Sequence, residues 1–306
     1  MLKINKKLTG NIVAIVTPMY KKSLKIDYDK FKDLINWHIS QKTNGIVIAG
    51  STGESAAIEI KEFTKLLEIA INTANNKLAI IANTGTNNLQ TTIKKTNIAE
   101  NLAIDAALIV TPYYCKPTQF GLIKYFEQIS SSTKLPIILY NVPSRTGCDL
   151  LPSTVAELAK IKNIIGIKEA TGKLERVNEL KNLCGEKFIL LSGDDHSFVE
   201  FMLQGGHGVI SVTGNVCPKI ISLICRAIIK EKNINLAKKL NSKLEQLYKT
   251  MAIESNPIPV KWLLANLGKI EEAYRLPLTN LSSEYHNIVL EAYNKININI
   301  KELSYV

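Results

Sequence analysis

Cysteine is scarce in this 306-residue chain, and poorly spaced for metal or disulfide work. The five cysteines, Cys115, Cys148, Cys184, Cys217 and Cys225, are odd in number and include no Cys-x-x-Cys pair. Neither a disulfide framework nor a zinc site is expected. No apolar run approaches the roughly 18 residues that a membrane-spanning helix needs. Residues 1–8 are too polar for the apolar centre of a secretory signal. These shortages together lead us to expect a soluble protein of a reducing cytoplasm. The Gly-x-Gly-x-x-Gly fingerprint of a dinucleotide fold and the Gly-Lys-Ser/Thr ending of a P-loop are both missing.

Acidic charge is in deficit as well. There are 27 Asp and Glu against 38 Lys and Arg, a formal net charge of +11. The lysines are scattered in short clusters such as Lys6-Lys7, Lys94-Lys95 and Lys238-Lys239, with no string of aromatics between them. A nucleic-acid footprint would be clustered, so neither a nucleic acid nor a membrane is expected as a partner. A hydrophobic share of 46% and a charged share of 21% are ordinary for a globular protein and exclude wholesale disorder.

What is present is a repeating alternation. Eight short apolar, β-branched runs occur at 12–16, 45–49, 78–82, 106–110, 136–140, 164–168, 188–191 and 208–212. They are continuous rather than alternating, as strands buried on both faces should be. Amphipathic stretches lie between them. Phe31, Leu34, Ile35 and His38 keep helical spacing, with Asp27 or Asp29 placed to cap the start. Phe63, Leu66, Leu67 and Ala70 repeat the pattern, as do Leu174, Val177 and Leu180. Eight strand–helix units predict an α/β fold, a (β/α)8 TIM barrel over residues 1–231. The next helix is expected at 218–230. Residues 232–306 look helical throughout and form a C-terminal helical subdomain, with helices at 234–249 and 260–267. That segment serves either as extra core cover or as an oligomer interface.

In such barrels the chemistry gathers at the C-terminal ends of the strands. The sixth run ends on Lys168. A lysine there is partly desolvated, which disfavours the ammonium, and a neutral amine can attack a carbonyl to form a Schiff base. The alternative is a buried ion pair. The fifth run ends on Tyr140, able to relay protons or simply to fill the core. Arg145 follows in a loop, where it could hold a carboxylate bidentately or lie solvated on the surface. After the second strand, Gly50-Ser51-Thr52-Gly53-Glu54-Ser55 precedes a helix, and its free N–H groups suit a small anion. Tyr113 and Tyr114 follow the fourth strand and are as plausible at an interface as in a site. Asp194 and Asp195 are adjacent and so face different ways, which makes a glycosidase pair a poor fit. His207 precedes the eighth strand at the opposite end of the barrel and reads as structural.

The motifs IVAIVTPM (12–19), GSTGES (50–55), TPYY (111–114), ILYNVPSRTGCDLL (138–151), NIIGIKEATG (163–172), LSGDD (191–195), GGHGVISV (205–212) and NPIPVKW (256–262), taken in order along nearly the whole chain, closely resemble the dihydrodipicolinate synthase family. The string around Lys168 marks the wider pyruvate-dependent aldolase superfamily, and the string around Arg145 favours the synthase over N-acetylneuraminate lyase and sugar-acid aldolases. The resemblance implies an imine between Lys168 and pyruvate, with no cofactor beyond it. It implies that Tyr140 donates and accepts protons, and that Ser51 and a Tyr114 from a neighbouring subunit complete a hydroxyl relay. It also implies that Thr52 holds the pyruvate carboxylate, that the Ile210 backbone lines the pocket, and that Arg145 anchors the carboxylate of aspartate 4-semialdehyde. Assembly would be a homotetramer built as a dimer of dimers.

Two departures stand out. The relay position that is threonine in the family is Ser51 here, which keeps the hydroxyl and frees its rotamer. The lysine-feedback site of sensitive members uses histidines and a glutamate where this chain has Ile60, Phe63 and Thr91, although Ser55, Ala56, Asn87 and Tyr113 match. Loss of the carboxylate should weaken lysine binding by about 1.5–3 kcal/mol, so little lysine inhibition is expected.

Overall fold

The computed structural model describes residues 6–303 of the chain, with side chains described over 7–296. Its centre is a closed parallel barrel in which every strand pairs with its sequence neighbours and the last returns to the first. The strands are β1 (Gly10–Ala14), β2 (Gly45–Ile48), β3 (Ala79–Asn83), β4 (Ala106–Val110), β5 (Ile137–Asn141), β6 (Ile164–Glu169), β7 (Ile189–Ser192) and β8 (Gly208–Ser211). All eight expected runs are strands, shifted by one or two residues at some ends.

Burial on both faces explains the continuous apolar runs. One side of each strand fills the barrel, where Ile12, Val47, Ile81, Leu108, Ile138, Leu191 and Ile210 form an interior cluster. The other side faces the helices and joins a larger core with residues such as Ile46, Ile109, Leu139 and Ile167. A register irregularity between Ile137 and Ile138 precedes the pairing of Tyr140 with Lys168 across β5 and β6. Paired residues point to the same side of a parallel sheet, so the two enter the barrel together.

The helices around the barrel are α1 (Tyr28–Ser40), α2 (Ile60–Ala74), α3 (Leu89–Asn101), α4 (Gln119–Ser131), the single turn α5 (Pro143–Thr146), α6 (Pro152–Leu158), α7 (Glu175–Cys184), α8 (Phe198–Leu203) and α9 (Pro218–Arg226). Asp27 is the cap that α1 uses, accepting from the Lys30 amide at 3.0 Å. Phe31, Leu34, Ile35 and His38 make its buried face. Burial holds the His38 imidazole neutral, lowering its pKa to about 3. At the N-terminal end of the barrel, His207 accepts from the Leu190 amide at 3.0 Å through Nδ1, and its carbonyl accepts from Gly10. It ties strand ends together, away from the chemistry.

Four more helices follow: α10 (Ile234–Ser242), α11 (Glu245–Met251), α12 (Ile258–Asn266) and α13 (His286–Leu303). Leu240, Leu247, Trp262 and Leu263 belong to the same continuous core as the outer face of the barrel. The expected all-helical character fails in two places. The helix expected at 234–249 breaks at 243–244, and residues 267–282 form an irregular stretch. That stretch follows Gly268, whose left-handed φ of +67° suits a helix stop, and it includes Pro277, which cannot continue a helix. It carries Arg275, whose guanidinium bonds both oxygens of Glu62 at 2.6 Å and the carbonyls of Leu24 and Ala57. Its backbone is therefore held by side-chain contacts rather than by a helical ladder. Among the described residues no helix is long and apolar enough to cross a membrane, and the five cysteines are unpaired.

Candidate active site

At the C-terminal end of the barrel lies a cavity of about 760 Å3. Strand alternation decides which side chains reach it. Lys168 points into the barrel, while its neighbour Glu169 points outward. There Glu169 accepts from Asn141 Nδ2 at 3.1 Å, from the Thr171 amide at 2.7 Å and from Arg176 at 3.4 Å. Arg176 is held in turn by Asp149, against which it makes a short contact. The carboxylate nearest in sequence to the lysine is thereby turned away and neutralised. Among the described residues no carboxylate pairs with Lys168, so the ion-pair alternative does not hold.

Lys168 is 6% exposed, and its Nζ lies 4.1 Å from the centroid of the Tyr140 ring. Both residues line the cavity. Room for the lysine stem comes from β7. A Cβ on Gly193 would stand 2.9 Å from Lys168 Cε and 2.6 Å from Ala170 Cβ. Only a residue without a side chain lets the amine lie there in this pose.

The loop after β2 works differently from the sequence expectation. No long helix starts at Ser55. A 3-10 turn (Ser55–Ala57) intervenes, and α2 begins at Ile60. The amides of Gly53, Glu54 and Ser55 turn back onto the carbonyls of Gly50 and Ser51. The Ser51 and Thr52 amides take no backbone partner among the described residues and lie at the cavity edge. Two free amides on a tight loop suit a carboxylate as well as a helix N-terminus does. The loop is clamped from behind by Glu54. Its carboxylate pairs with Lys261 and accepts from the Arg275 amide at 3.0 Å, with Glu54 and Lys261 both buried. Burial is the leading influence on the Lys261 ammonium and lowers its pKa.

Arg145 sits on the one-turn helix α5. Gly147 ends that turn at φ +73°, and the Thr146 hydroxyl bonds the carbonyls of Val142 and Cys148. The guanidinium lies at the mouth of the cavity and donates to the Asn256 carbonyl at 3.4 Å.

Two of the expected site residues do not line the chain's own cavity. The Ile210 side chain is in the apolar barrel interior, and the turn after β8 contributes Val212 and Thr213 to the cavity lining. Tyr114 is 89% exposed, in a loop whose left-handed backbone (φ +75°) turns it outward, and it does not line its own chain's cavity. Asp194 and Asp195 reach the rim with other tasks. Asp194 accepts from the Ser197 amide at 2.9 Å. Asp195 accepts from the Val212 and Thr213 amides at 3.0 and 2.7 Å, joining the ends of β7 and β8. Burial raises its carboxyl pKa.

Asn256 carries no role in the sequence reading. Its Nδ2 donates to Thr52 Oγ1 at 3.0 Å, and its Oδ1 is buried without a hydrogen-bond partner. It lies 204 residues from Thr52 in the chain, so no local pattern links the two. The only signal was its place in the NPIPVKW string. Residues 248–256, from α11 and the turn after it, close one side of the cavity, which makes the C-terminal helices part of the site as well as core cover. Among the described residues no cluster of three His, Cys, Asp or Glu could hold a metal ion.

Comparison with known proteins agrees with this geometry. Residues 7–295 match the profile of the Dihydrodipicolinate synthetase family. The chain is 49% identical over 289 residues to the 4-hydroxy-tetrahydrodipicolinate synthase of Coxiella burnetii, covering 94% of this chain and 98% of that protein. It resembles the crystal structure of the chloride-inhibited dihydrodipicolinate synthase of Acinetobacter baumannii complexed with pyruvate, with a TM-score of 0.92 and 45% identity, covering 95% of this chain and 99% of that one. It also resembles a monomeric dihydrodipicolinate synthase variant, with a TM-score of 0.92 and 34% identity, covering 95% and 97%. A closed barrel with its lysine-bearing cavity, and a profile match running almost from end to end, make this chain a member of the dihydrodipicolinate synthetase family.

Proposed function

We propose that the chain is a 4-hydroxy-tetrahydrodipicolinate synthase, a lyase that joins pyruvate to L-aspartate 4-semialdehyde in the first committed step of the diaminopimelate route to lysine. The observation that carries this reading is Lys168: buried at a strand end, unpaired with any carboxylate among the described residues, and open to a cavity of about 760 Å3. Its amine attacks the pyruvate carbonyl and water leaves, giving an imine. Loss of a methyl proton gives an enamine, whose carbon attacks the semialdehyde's aldehyde. The semialdehyde's own amine then adds to the imine carbon, closes the ring and releases Lys168.

Tyr140 is the proton donor and acceptor, supported by its pairing with Lys168. Ser51 continues the hydroxyl relay, and Tyr114 completes it from a neighbouring copy of the chain. An exposed Tyr114, with Tyr113 and Phe120 also exposed near it, favours a protein–protein contact there. On that basis the active assembly is a homotetramer of two tight dimers. Thr52, with the amide pair beside it, holds the pyruvate carboxylate, Arg145 holds that of the semialdehyde, and the Ile210 backbone supports the pocket from the barrel interior. The covalent imine supplies the electron sink, so the reaction as drawn calls for no further cofactor. Five unpaired cysteines favour a reducing cytoplasm. Feedback by lysine is weak or absent, since Phe63 is buried in the core and Thr91 bears no charge.

The decisive test is borohydride reduction with pyruvate, followed by peptide mass mapping. A pyruvyl adduct on Lys168 is expected, and turnover with pyruvate plus semialdehyde should exceed that with N-acetylneuraminate or keto-deoxygluconate. An adduct elsewhere, or none, overturns the mechanism. Half-inhibition by lysine at sub-millimolar concentration overturns the feedback reading.

A further inference from the structure

Asn256 stands in the wall between the active-site cavity and a smaller one of about 300 Å3 that Lys95 lines. It comes from the turn after α11. Its side chain donates through Nδ2 to Thr52 Oγ1 at 3.0 Å, the one hydrogen bond that the Thr52 hydroxyl makes among the described residues. Its Oδ1 is buried with no partner. A buried amide that served the fold alone would ordinarily have both ends paired, because an orphaned carbonyl oxygen costs free energy. Here one end is unpaired, and the other is directed at the loop after β2.

The direction of that bond has a chemical consequence. A hydroxyl carries one proton and two lone pairs. Accepting from the amide leaves the Thr52 proton free for a third group, and Thr52 lines the active-site cavity. A carboxylate there meets the O–H beside the unpartnered Ser51 and Thr52 amides. Asn256 is itself fixed. Lys261, on the α12 helix that follows it, pairs with Glu54 of the same loop. Residues 256–261 therefore grip the loop at both Thr52 and Glu54. On the other side the Asn256 carbonyl accepts from Arg145 at 3.4 Å. That contact belongs to the backbone, so changing the side chain does not delete it.

We infer that Asn256 is a positioning residue for the first substrate: its side-chain amide holds the Thr52 hydroxyl so that it donates to the pyruvate carboxylate. The inference rests on the role proposed for Thr52. Asn256 touches no reacting atom and acts through that hydroxyl. The C-terminal helices thereby set the geometry of a site whose reactive amine lies in the barrel. The side chain governs pyruvate alone, since Arg145, and with it the semialdehyde, depends on the Asn256 carbonyl.

The test is a double-mutant cycle on the full-length protein, read as the pyruvate concentration that gives half-maximal borohydride trapping on Lys168. Asn256→Ala should raise that concentration about 3–10-fold, the scale of one neutral hydrogen bond. KM for the semialdehyde should move less than about twofold. In a Thr52→Val background the same substitution should change the trapping concentration less than about twofold, because the hydroxyl it acts on has gone. Circular dichroism checks folding, and Asn256→Ser replaces Asn256→Ala if the latter is unfolded. Equal effects in the two backgrounds, equal rises for both substrates, or no effect of Asn256→Ala would each overturn this inference alone. A wild type that traps no pyruvate on Lys168 would overturn the reading of the site and, with it, this role for Asn256.

Discussion

The two cavities share a wall made of Ser51, Asn83, Val142, Arg145, Ser255 and Asn256, yet the lysine in each has a different origin and consequence. Lys168 enters from a strand end, beside Tyr140, with Gly193 making room for its stem. Lys95 enters from a helix, against Phe63, with no side chain placed to bond it. A third buried lysine, Lys261, has a partner in Glu54 and opens to neither cavity. Burial is nearly equal in all three. Burial alone therefore does not make a lysine reactive. The neighbours decide whether it is left as a nucleophile, as an unpaired charge or as a clamp.

Substitution at each lysine or its partner sharpens that contrast. The largest effect is expected for Lys168→Met, which removes the attacking amine. Turnover should fall at least about a thousandfold, with no borohydride-trapped pyruvate and an unchanged circular dichroism spectrum. Retained trapping would remove Lys168 from the chemistry.

Next is Glu54→Gln, which leaves Lys261 buried beside a neutral amide. Breaking a buried pair from one side costs about 3–5 kcal/mol. Urea unfolding should report that loss, and KM for pyruvate should rise as the loop carrying Ser51 and Thr52 loosens. A stability loss under about 1 kcal/mol would mean the clamp is not needed.

Lys95 gives a smaller effect with a defined sign. Its folded pKa of about 8 is below the ordinary value of 10.5, so between those limits the unfolded chain holds more protons than the folded one. Stability contributed by this site therefore rises as pH rises from 8 towards 10.5, by about 3 kcal/mol at most. Lys95→Met should be more stable than wild type at pH 7, and the advantage should shrink by pH 10. A gap that does not change with pH would mean that Lys95 already has a counter-charge.

The smallest effect is expected at the shared wall. Ser51→Thr restores a methyl group and keeps the hydroxyl, so kcat should change by no more than about threefold. A sharp fall would show that serine's freer rotamer is needed in this chain.

The barrel was legible because its period is repeated eight times and each strand is apolar on both faces. The end of the sixth strand was legible for a related reason: a lysine that closes an apolar run lies at the barrel mouth in any eightfold closure. The loop after β2 was only half legible. Gly50 to Ser55 pointed to free amides, but the 3-10 turn that orients them depends on Glu54, whose partners Lys261 and Arg275 come from the far end of the chain. Asn256 and Lys95 were illegible. One is joined to Thr52 across 204 residues, and the other resembles any helix lysine until its burial is seen.

The order of the residues by itself determined eight parallel strands, the helices between them and an amine at the mouth, because hydrophobic periodicity and side-chain chemistry are local properties. Tertiary structure alone decided which charges meet. It turned Glu169 outward to Arg176, committed Glu54 to Lys261 and left Lys95 facing a cavity with no carboxylate. Electrostatic pairing depends on distance in space, and closing the barrel sets that distance between residues the chain keeps far apart.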